Sequence, residues 1–443
     1  MKPEREHKVA ITVYPFFDNS IHYESVIDYL KMNEQQDITN EAIIYIHIPF
    51  CDSICDFCIY NRVKTDYYIM EEYTRALIAE ISIFAKTEYA QSARISAVYL
   101  GGGTPSSLSE PQINSIINTC WCKLNVCKDT EFTFEANIIN ATKDKLSSLR
   151  NMGINRISAG IQTFNNNHRI NLGLRQNSKE AIRWIEMAAG YCFETIAIDL
   201  MYGLPTQTTY EWQQDLEIAV SLPVEHISIY ELHTFPNTRL GQRVNDGNLT
   251  PCSNAEKYSM FFIAGDVLAR NSFVRQIVPE FSKLNHFSLY WDLAFNAFVD
   301  NIAFGVSSFG FINRHSYQNI ASINEYFKNI QQETLPIKRV SNTANTIEMA
   351  ERDMIFSLRK GYVDKEGFYK RHGYMVSDFF GAVLDSHTYD GIITETTKGY
   401  YLNNEGLYIQ EDVAIKYMRS TFDNMSNSYK KLILGTYQLN HII

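Results

Sequence analysis

Three cysteines within eight residues carry the strongest chemistry in this chain. Residues 45–58 read YIHIPFCDSICDFC, so Cys51, Cys55 and Cys58 stand in a CxxxCxxC spacing just after an apolar run. Three thiolates can hold three irons of a 4Fe–4S cubane and leave the fourth iron without a protein ligand. That open iron suits the amino and carboxylate groups of S-adenosylmethionine (SAM). An electron from the cluster then cleaves a carbon–sulfur bond, giving a 5′-deoxyadenosyl radical able to abstract hydrogen from an unactivated carbon. The protein supplies orientation and a dry site. A structural zinc site wants four ligands, usually as two CxxC-like pairs, and no fitting second pair exists. His47 is a conceivable fourth ligand, but it lies among apolar residues of the preceding strand. Cys120, Cys122 and Cys127 fall on and after a helix-patterned stretch and read as buried structural cysteines.

Further along, Gly101-Gly102-Gly103-Thr104-Pro105 follows a second apolar run. Three glycines let backbone approach a ligand closely, with positive φ where required. Near a CxxxCxxC loop they form a seat for the methionine part of SAM; standing alone they form a tight turn. Glu135 and Asp199 are carboxylates at strand ends. They suit ammonium or ribose hydroxyl groups, or equally helix caps and salt bridges.

These residues need a frame that brings strand ends together. Apolar, β-rich runs at Ile43–Ile48, Ile95–Leu100, Glu131–Ala136, Arg156–Gly160, Ile196–Met201 and His226–Leu232 alternate with helix-patterned stretches. The stretches are Tyr67–Lys86, Glu110–Trp121, Thr142–Asn151, Ser178–Ala189 and Thr209–Ser221, with cap signals at Ser109 and Ser178. Such alternation predicts parallel strands with helical crossovers. Six strands are too few for a closed eight-stranded barrel, so the expected fold is α/β, an open partial (β/α)6 TIM-like barrel. In such barrels chemistry gathers where strands end. Cys51, Gly101–Thr104, Glu135, Gln162 and Asp199 each stand at or just past one of five consecutive strand ends. The expected organisation is an N-terminal arm (1–40), the barrel (41–250), a connecting region completing the site (251–341) and a C-terminal, mostly helical, winged-helix-like accessory domain (342–443).

Composition sets bounds. With 45% hydrophobic and 20% charged residues the chain reads as globular. A net charge of −10 and no basic patch argue against nucleic acid or anionic membrane as partners. Neither a bilayer-spanning apolar run nor a signal-peptide pattern is present, so a cytoplasmic address is expected. Aromatic content of 13% suits either an aromatic core or a pocket for a flat substrate.

With these motifs in place, the sequence resembles the oxygen-independent coproporphyrinogen III oxidase family of radical SAM proteins. The resemblance runs through YIHIPFCxxxCxFC (45–58), GGGTP (101–105), NRISAGIQTF (155–164), DLMYGLP (199–205), HISIYEL (226–232), IAFGVSSFG (302–310) and ERDMIFSLRKG (351–361). The arm TVYPFFDNSIHYESVIDYL (12–30) is similar to the segment preceding the barrel in the oxidase. The resemblance implies that Tyr45, Gly102 and Glu135 hold the cluster-bound SAM. It implies that Phe57, Gly103, Thr104, Gln162, Arg175 and Asp199 contact a second SAM. Two departures stand out: the oxidase has a further cysteine where this chain has Tyr60, and the heme chaperones carry HNxxYW where it has HFSLYW (286–291). Tyr45 and His286 are the candidate catalytic side chains. In a chaperone His286 would coordinate heme iron; in an enzyme it would stand at the pocket mouth as a proton acceptor or hydrogen-bond partner. The leading expectation is methyl or methylene transfer from a second SAM to an sp2 carbon, driven by an electron donor such as flavodoxin or ferredoxin. The alternatives are tetrapyrrole modification (decarboxylation or ring opening) and heme chaperoning.

Overall fold

The computed structural model describes residues 13–17 and 41–418. All six expected strands are present: β1 (Glu41–Ile48), β2 (Arg94–Gly102), β3 (Val126–Ala136), β4 (Arg156–Gln162), β5 (Thr195–Tyr202) and β6 (His226–Glu231). They pair in parallel in that order. The crossovers run through α1 (Tyr67–Phe84), α2 (Glu110–Lys123), α3 (Lys143–Asn151), α4 (Ser178–Ala189) and α5 (Thr209–Ser221). Ser109 opens α2 in a capping box with Gln112, as its position suggested. At α4 the cap is Asn177, whose side chain accepts from the Glu180 N–H, and Ser178 is already the first helical residue. Either residue type can cap, and the one that keeps extended backbone decides.

The strands have two different faces, and this split explains their sequence pattern. Ile44, Ile46 and Ile48 on β1, Val98 and Leu100 on β2, Phe132 and Phe134 on β3, and Ile227 and Ile229 on β6 all pack outward into the core shared with the helices. The alternate positions, among them Tyr45, Tyr99, Glu135, Asp199, Ser228 and Tyr230, face the barrel interior. Side chains alternate along a strand with a period of two, so an apolar outer face and a polar lumen must read as alternation.

Beyond residue 250 the chain extends the sheet at both edges. The α6 helix (Asn254–Arg270) leads into β7 (Phe273–Ile277) and β8 (Glu280–Lys283), which add antiparallel strands beyond β6. The short α7 (Leu289–Ala294) follows, and β9 (Asp300–Phe304) then pairs in parallel with β1 on the side away from β2. A seventh parallel strand thus joins the six read from sequence. Strands β10 (Phe309–Ile312), β11 (His315–Asn319) and β12 (Ile337–Val340) complete a twelve-stranded sheet. Buried Glu80 of α1 pins this edge, accepting from the Gly305 N–H (2.8 Å) and Asn319 Nδ2 (2.7 Å).

The C-terminal part has its own core around Met354, Leu358, Phe368, Phe380, Leu384 and Leu402. It consists of helices and a three-stranded antiparallel sheet in which Gly399–Leu402 is the central strand. Its first helix, α8 (Thr346–Arg359), places a buried charged triplet at the junction. Glu351 accepts from the Tyr14 hydroxyl, and Arg352 donates to the carbonyls of Tyr14 and Ala297. Asp353 takes two bonds from Arg371 and one from His372. The rest of the arm, residues 1–12 and 18–40, and the polar tail from 419 lie outside the described residues.

Candidate radical SAM site

The cysteine loop hangs over the C-terminal ends of the strands. Phe50–Cys51 makes a short parallel bridge to Val63–Lys64, which closes the loop on itself. Its far side is tied down by Asp56, whose N–H donates to the Leu172 carbonyl (3.0 Å) and whose carbonyl accepts from the Leu240 N–H (2.9 Å). The Asp56 carboxylate also faces Arg239 and Arg243, at 3.7 and 3.8 Å. Phe57 packs against the apolar group of Leu172, Met201, Leu204, Leu232 and Leu240, fixing the loop from beneath.

The three thiols share one electrostatic environment. Burial pushes all three up, Cys55 to about 12, with Cys51 and Cys58 each adding to the shift on Cys55. The Arg62 charge acts on all three in the opposite direction. Buried thiols that raise one another resist ionisation alone and favour it once iron supplies positive charge. In a cubane each thiolate takes a different iron. The set fits that demand: three thiols lie on one loop and none is disulfide-bonded. Cys51, Cys55 and Cys58 are thus the residues that would hold such a cluster, which would supply the electron for SAM cleavage. The other cysteine group is not of this kind. Cys120 is buried as expected, but Cys122 is exposed and Cys127 half-buried against Arg94 Nε (3.0 Å). Cys122 ends up on the solvent side because it lies two residues, about 200° of helix, from Cys120.

The glycine turn meets the loop from β2. Thr104 Oγ1 lies 3.5 Å from Cys51 Sγ, and the Gly103 N–H donates to the Ile48 carbonyl (2.8 Å). Gly102 has φ +115°, and a Cβ there would stand 2.5 Å from His47 Nδ1. A Cβ on Gly103 would meet the backbone of Ile48 and Phe50 within 2.9 Å. Both positions therefore need glycine, for conformation and for space respectively. Glu135 accepts from the Gly102 N–H (3.0 Å) and the Tyr99 hydroxyl (2.8 Å). Burial nevertheless raises its carboxyl. Tyr45 stacks on Tyr99 with centroids 6.1 Å apart, so Tyr45, Gly102 and Glu135 form one wall.

Gln162 and Asp199 stand on the next two strands, β4 and β5. Gln162 adopts φ +67° at a bulge in β4, and its amide folds over Gly160. Two residues that sequence reading missed hold that bulge. Buried Arg169 donates to the carbonyls of Ile161 and Thr163 (both 2.8 Å), and Asp215 accepts from Thr163 Oγ1 (2.6 Å) and the Phe164 N–H (2.7 Å). Arg175 is exposed on the loop beyond. Asp199 sits in register with Gly160 and Ser228, and its carboxyl is pushed up to about 8, first by burial and then by Glu280 and Glu135. Glu280, His226, Ser228 and Tyr230 were also missed. For the last three the signal was the polar alternation within HISIYE, which sets His226, Ser228 and Tyr230 on one face.

His286 lies elsewhere. Its Nδ1 is 3.2 Å from Thr195 Oγ1, and its carbonyl accepts from Arg156 (3.2 Å). Thr195 and Arg156 are the first residues of β5 and β4, so His286 borders the N-terminal end of the barrel, opposite the cysteine loop. From there α7 plugs the interior. Glu131 accepts from Ser288 Oγ and the N–H groups of Leu289 and Tyr290, and the Tyr290 ring reaches Tyr99 at 4.9 Å. The lumen is the space between this plug and the cysteine loop.

Comparison with known proteins agrees with this site. Residues 45–219 match the family model of the Radical SAM superfamily. The chain is 30% identical over 372 residues to heme chaperone HemW of Bacillus subtilis (strain 168), covering 83% of this chain and 97% of that protein. It is 30% identical over 314 residues to anaerobilin synthase of Escherichia coli O157:H7, covering 71% of each. Its fold is similar to that of the Escherichia coli coproporphyrinogen III oxidase HemN, a radical SAM enzyme, with a TM-score of 0.80 and 21% identity over 92% of this chain and 96% of that one. The loop, the lumen and these relatives together make the chain a member of the radical SAM superfamily, in the coproporphyrinogen III oxidase-like family that includes the heme chaperones.

Proposed function

We propose that this chain is a radical SAM enzyme acting on a tetrapyrrole inside its barrel. The observation that carries the reading is the lumen: Glu135, Asp199 and Glu280 share it with Tyr45, Tyr99, Tyr230 and Tyr290. Such a wall combines flat aromatic surface with titratable groups held at different protonation states, which is an arrangement for proton handling. In this reading Tyr45, Gly102 and Glu135 hold the SAM that the cluster cleaves. Phe57, Gly103, Thr104, Gln162, Arg175 and Asp199 face a second SAM or the substrate, and α7 keeps water out from below. The similarity to anaerobilin synthase extends over most of both chains, which supports a tetrapyrrole as the substrate class. The methyl or methylene transfer to a small sp2 substrate expected from sequence has no counterpart among the relatives named. A cytoplasmic address with flavodoxin or ferredoxin as reductant completes the proposal; no described helix is long and apolar enough to cross a membrane.

The test is anaerobic reconstitution with iron, sulfide, SAM and a reductant, with heme or coproporphyrinogen III offered. Mass spectrometry then follows 5′-deoxyadenosine, methylthioadenosine, S-adenosylhomocysteine and the tetrapyrrole. A changed tetrapyrrole formed in step with SAM cleavage is expected. An unchanged one, bound in stoichiometric amount, would overturn the reading. That outcome favours heme chaperoning, for which one observation speaks: Leu284, Phe287 and Leu289 are exposed beside His286, an apolar surface outside the lumen.

A further inference from the structure

Glu280 reaches the lumen from β8, the antiparallel strand that closes the sheet beside β6. It is 1% exposed and has three hydrogen-bond donors. His226 Nε2 (2.5 Å) and Ser228 Oγ (2.6 Å) donate to one oxygen, and the Tyr230 hydroxyl (2.8 Å) donates to the other. On its far side His226 receives a bond from Ser282 Oγ. Burial holds His226 below its usual value, so the ring is neutral: Nε2–H donates to Glu280 and Nδ1 accepts from Ser282. Every polar atom of this lattice has a partner, and only Tyr230, 38% exposed, opens onto the lumen.

We infer that Glu280 is a positioning residue of the lumen: its carboxylate, fixed by three donors, aims the Tyr230 hydroxyl and acts by charge on Asp199 across Ser228. This rests on the lumen being the reaction site proposed above. The physical reason is an asymmetry between two carboxylates. Glu280 has three donors and stays ionised despite burial; Asp199 has beside it only Ser228 Oγ, whose proton already goes to Glu280, and the Arg156 charge to offset its burial. One negative charge in a low-dielectric space disfavours a second nearby, so Asp199 keeps its proton and Glu280 does not. The charges facing Asp199 come from Glu280 on β8, Glu135 on β3 and Arg156 on β4. Tyr60 of the cysteine loop, Tyr99 on β2 and Tyr230 on β6 sense the Asp199 charge in turn. Among these, Glu280 has the largest effect after burial itself. The wall therefore presents a proton donor, Asp199, next to an oriented phenol.

The experiment uses the full chain and two readouts. Infrared difference spectroscopy of the protein without cofactors, titrated across neutral pH, follows the carboxylic acid band absent in Asp199→Asn. The wild-type midpoint is expected near 8, and in Glu280→Gln it should fall by about one unit or more. Substrate turnover by the reconstituted protein should drop at least ten-fold in Glu280→Gln, with 5′-deoxyadenosine release under uncoupled conditions unchanged and partial recovery in Glu280→Asp. An unchanged Asp199 midpoint in folded Glu280→Gln overturns the inference. If Glu280→Gln does not fold, Tyr230→Phe takes its place, and turnover unchanged in that variant overturns it equally. Failure of the tetrapyrrole reading is seen separately, as no tetrapyrrole product from the wild type while the infrared shift persists.

Discussion

The Tyr45 hydroxyl lies 3.2 Å from His47 Nδ1, two residues along the same strand. The other ring nitrogen of His47 is 3.2 Å from the Asn61 carbonyl. Burial pushes His47 down to about 4, so at neutral pH its Nε2–H donates to Asn61 and its Nδ1 accepts from Tyr45. The imidazole therefore joins the strand, the segment after the cysteines and the glycine turn, since Gly102 rests against the same ring. It is a positioning group, and this accounts for a histidine among apolar residues better than metal ligation does.

Gly102→Ala should show this coupling. The substitution meets a positive φ and the His47 ring together, costing roughly 1–3 kcal/mol of strain. Gly153→Ala is the control, since φ is +95° there but nothing lies within 4 Å of the added carbon. Urea denaturation should show the larger loss at Gly102. Calorimetry should show SAM binding lost at Gly102 and kept at Gly153, with iron retained in both. Equal losses of stability and full SAM binding would remove the His47–Gly102 contact from the account.

The cysteines separate by iron content. Cys51→Ala, Cys55→Ala and Cys58→Ala should each lose the brown chromophore and SAM cleavage. Cys120→Ala, Cys122→Ala and Cys127→Ala should keep about four irons per chain, the content of one intact cubane. Iron and absorbance measurements after anaerobic reconstitution decide between the groups, and the reverse pattern sinks the cluster assignment.

Local chemistry was legible wherever a motif and a strand end coincided. CDSICDFC, GGGTP and the six parallel strands could be read because period-two alternation and loop glycines are properties of short segments. Glu280 could not. Its strand pairs antiparallel with β6 some 50 residues away in sequence, and a single carboxylate in VPEFSK has no local mark of burial. Arg169 and Asp215 were hidden for the same reason, since each acts through backbone groups of a bulge that periodicity does not reveal. The strand Asp300–Phe304 went unread although IAFGVSSFG carried the resemblance, because its place beside β1 depends on closure of the sheet. His286 was expected at a pocket mouth for an enzyme; the α7 plug instead sets it at the far end of the strands.

Asp353 gives a pH signature. Despite burial, His372 and Arg371 hold its carboxyl below the usual value. For a depressed carboxyl the stabilisation is present above the unfolded value, near pH 4, and is lost as pH falls through the lower folded value. Asp353→Asn should cost about 3 kcal/mol, the low end for breaking a buried pair because Arg371 keeps partial access to solvent. Thermal denaturation between pH 3 and about 7 should show a shallower acid slope in the variant. Parallel slopes would mean that Asp353 stays paired in the unfolded chain or carries no net charge when folded.

The last prediction concerns His286, where the enzyme and chaperone readings part. A neutral imidazole can coordinate heme iron, but this ring already has Thr195 Oγ1 at 3.2 Å and sits at the strand starts, away from the cysteine loop. Tyr290 and Trp291, the flat residues of the same motif, are turned into the plug against Tyr99 instead of flanking the imidazole. Phe287 replaces the asparagine of the chaperone pattern and is 42% exposed. Ordering these side chains around a surface heme would require the Thr195 bond to break and would leave Tyr290 and Trp291 unable to help. Heme binding is therefore expected to be weak at this end, with a Soret band that does not shift in His286→Ala, and tetrapyrrole turnover in that variant should stay within about two-fold of wild type, a difference of ~0.4 kcal/mol. The measurement is a heme titration of wild type and His286→Ala beside single-turnover product analysis. Tight heme binding that disappears in His286→Ala, with no tetrapyrrole product from the wild type, would establish the chaperone in place of the enzyme.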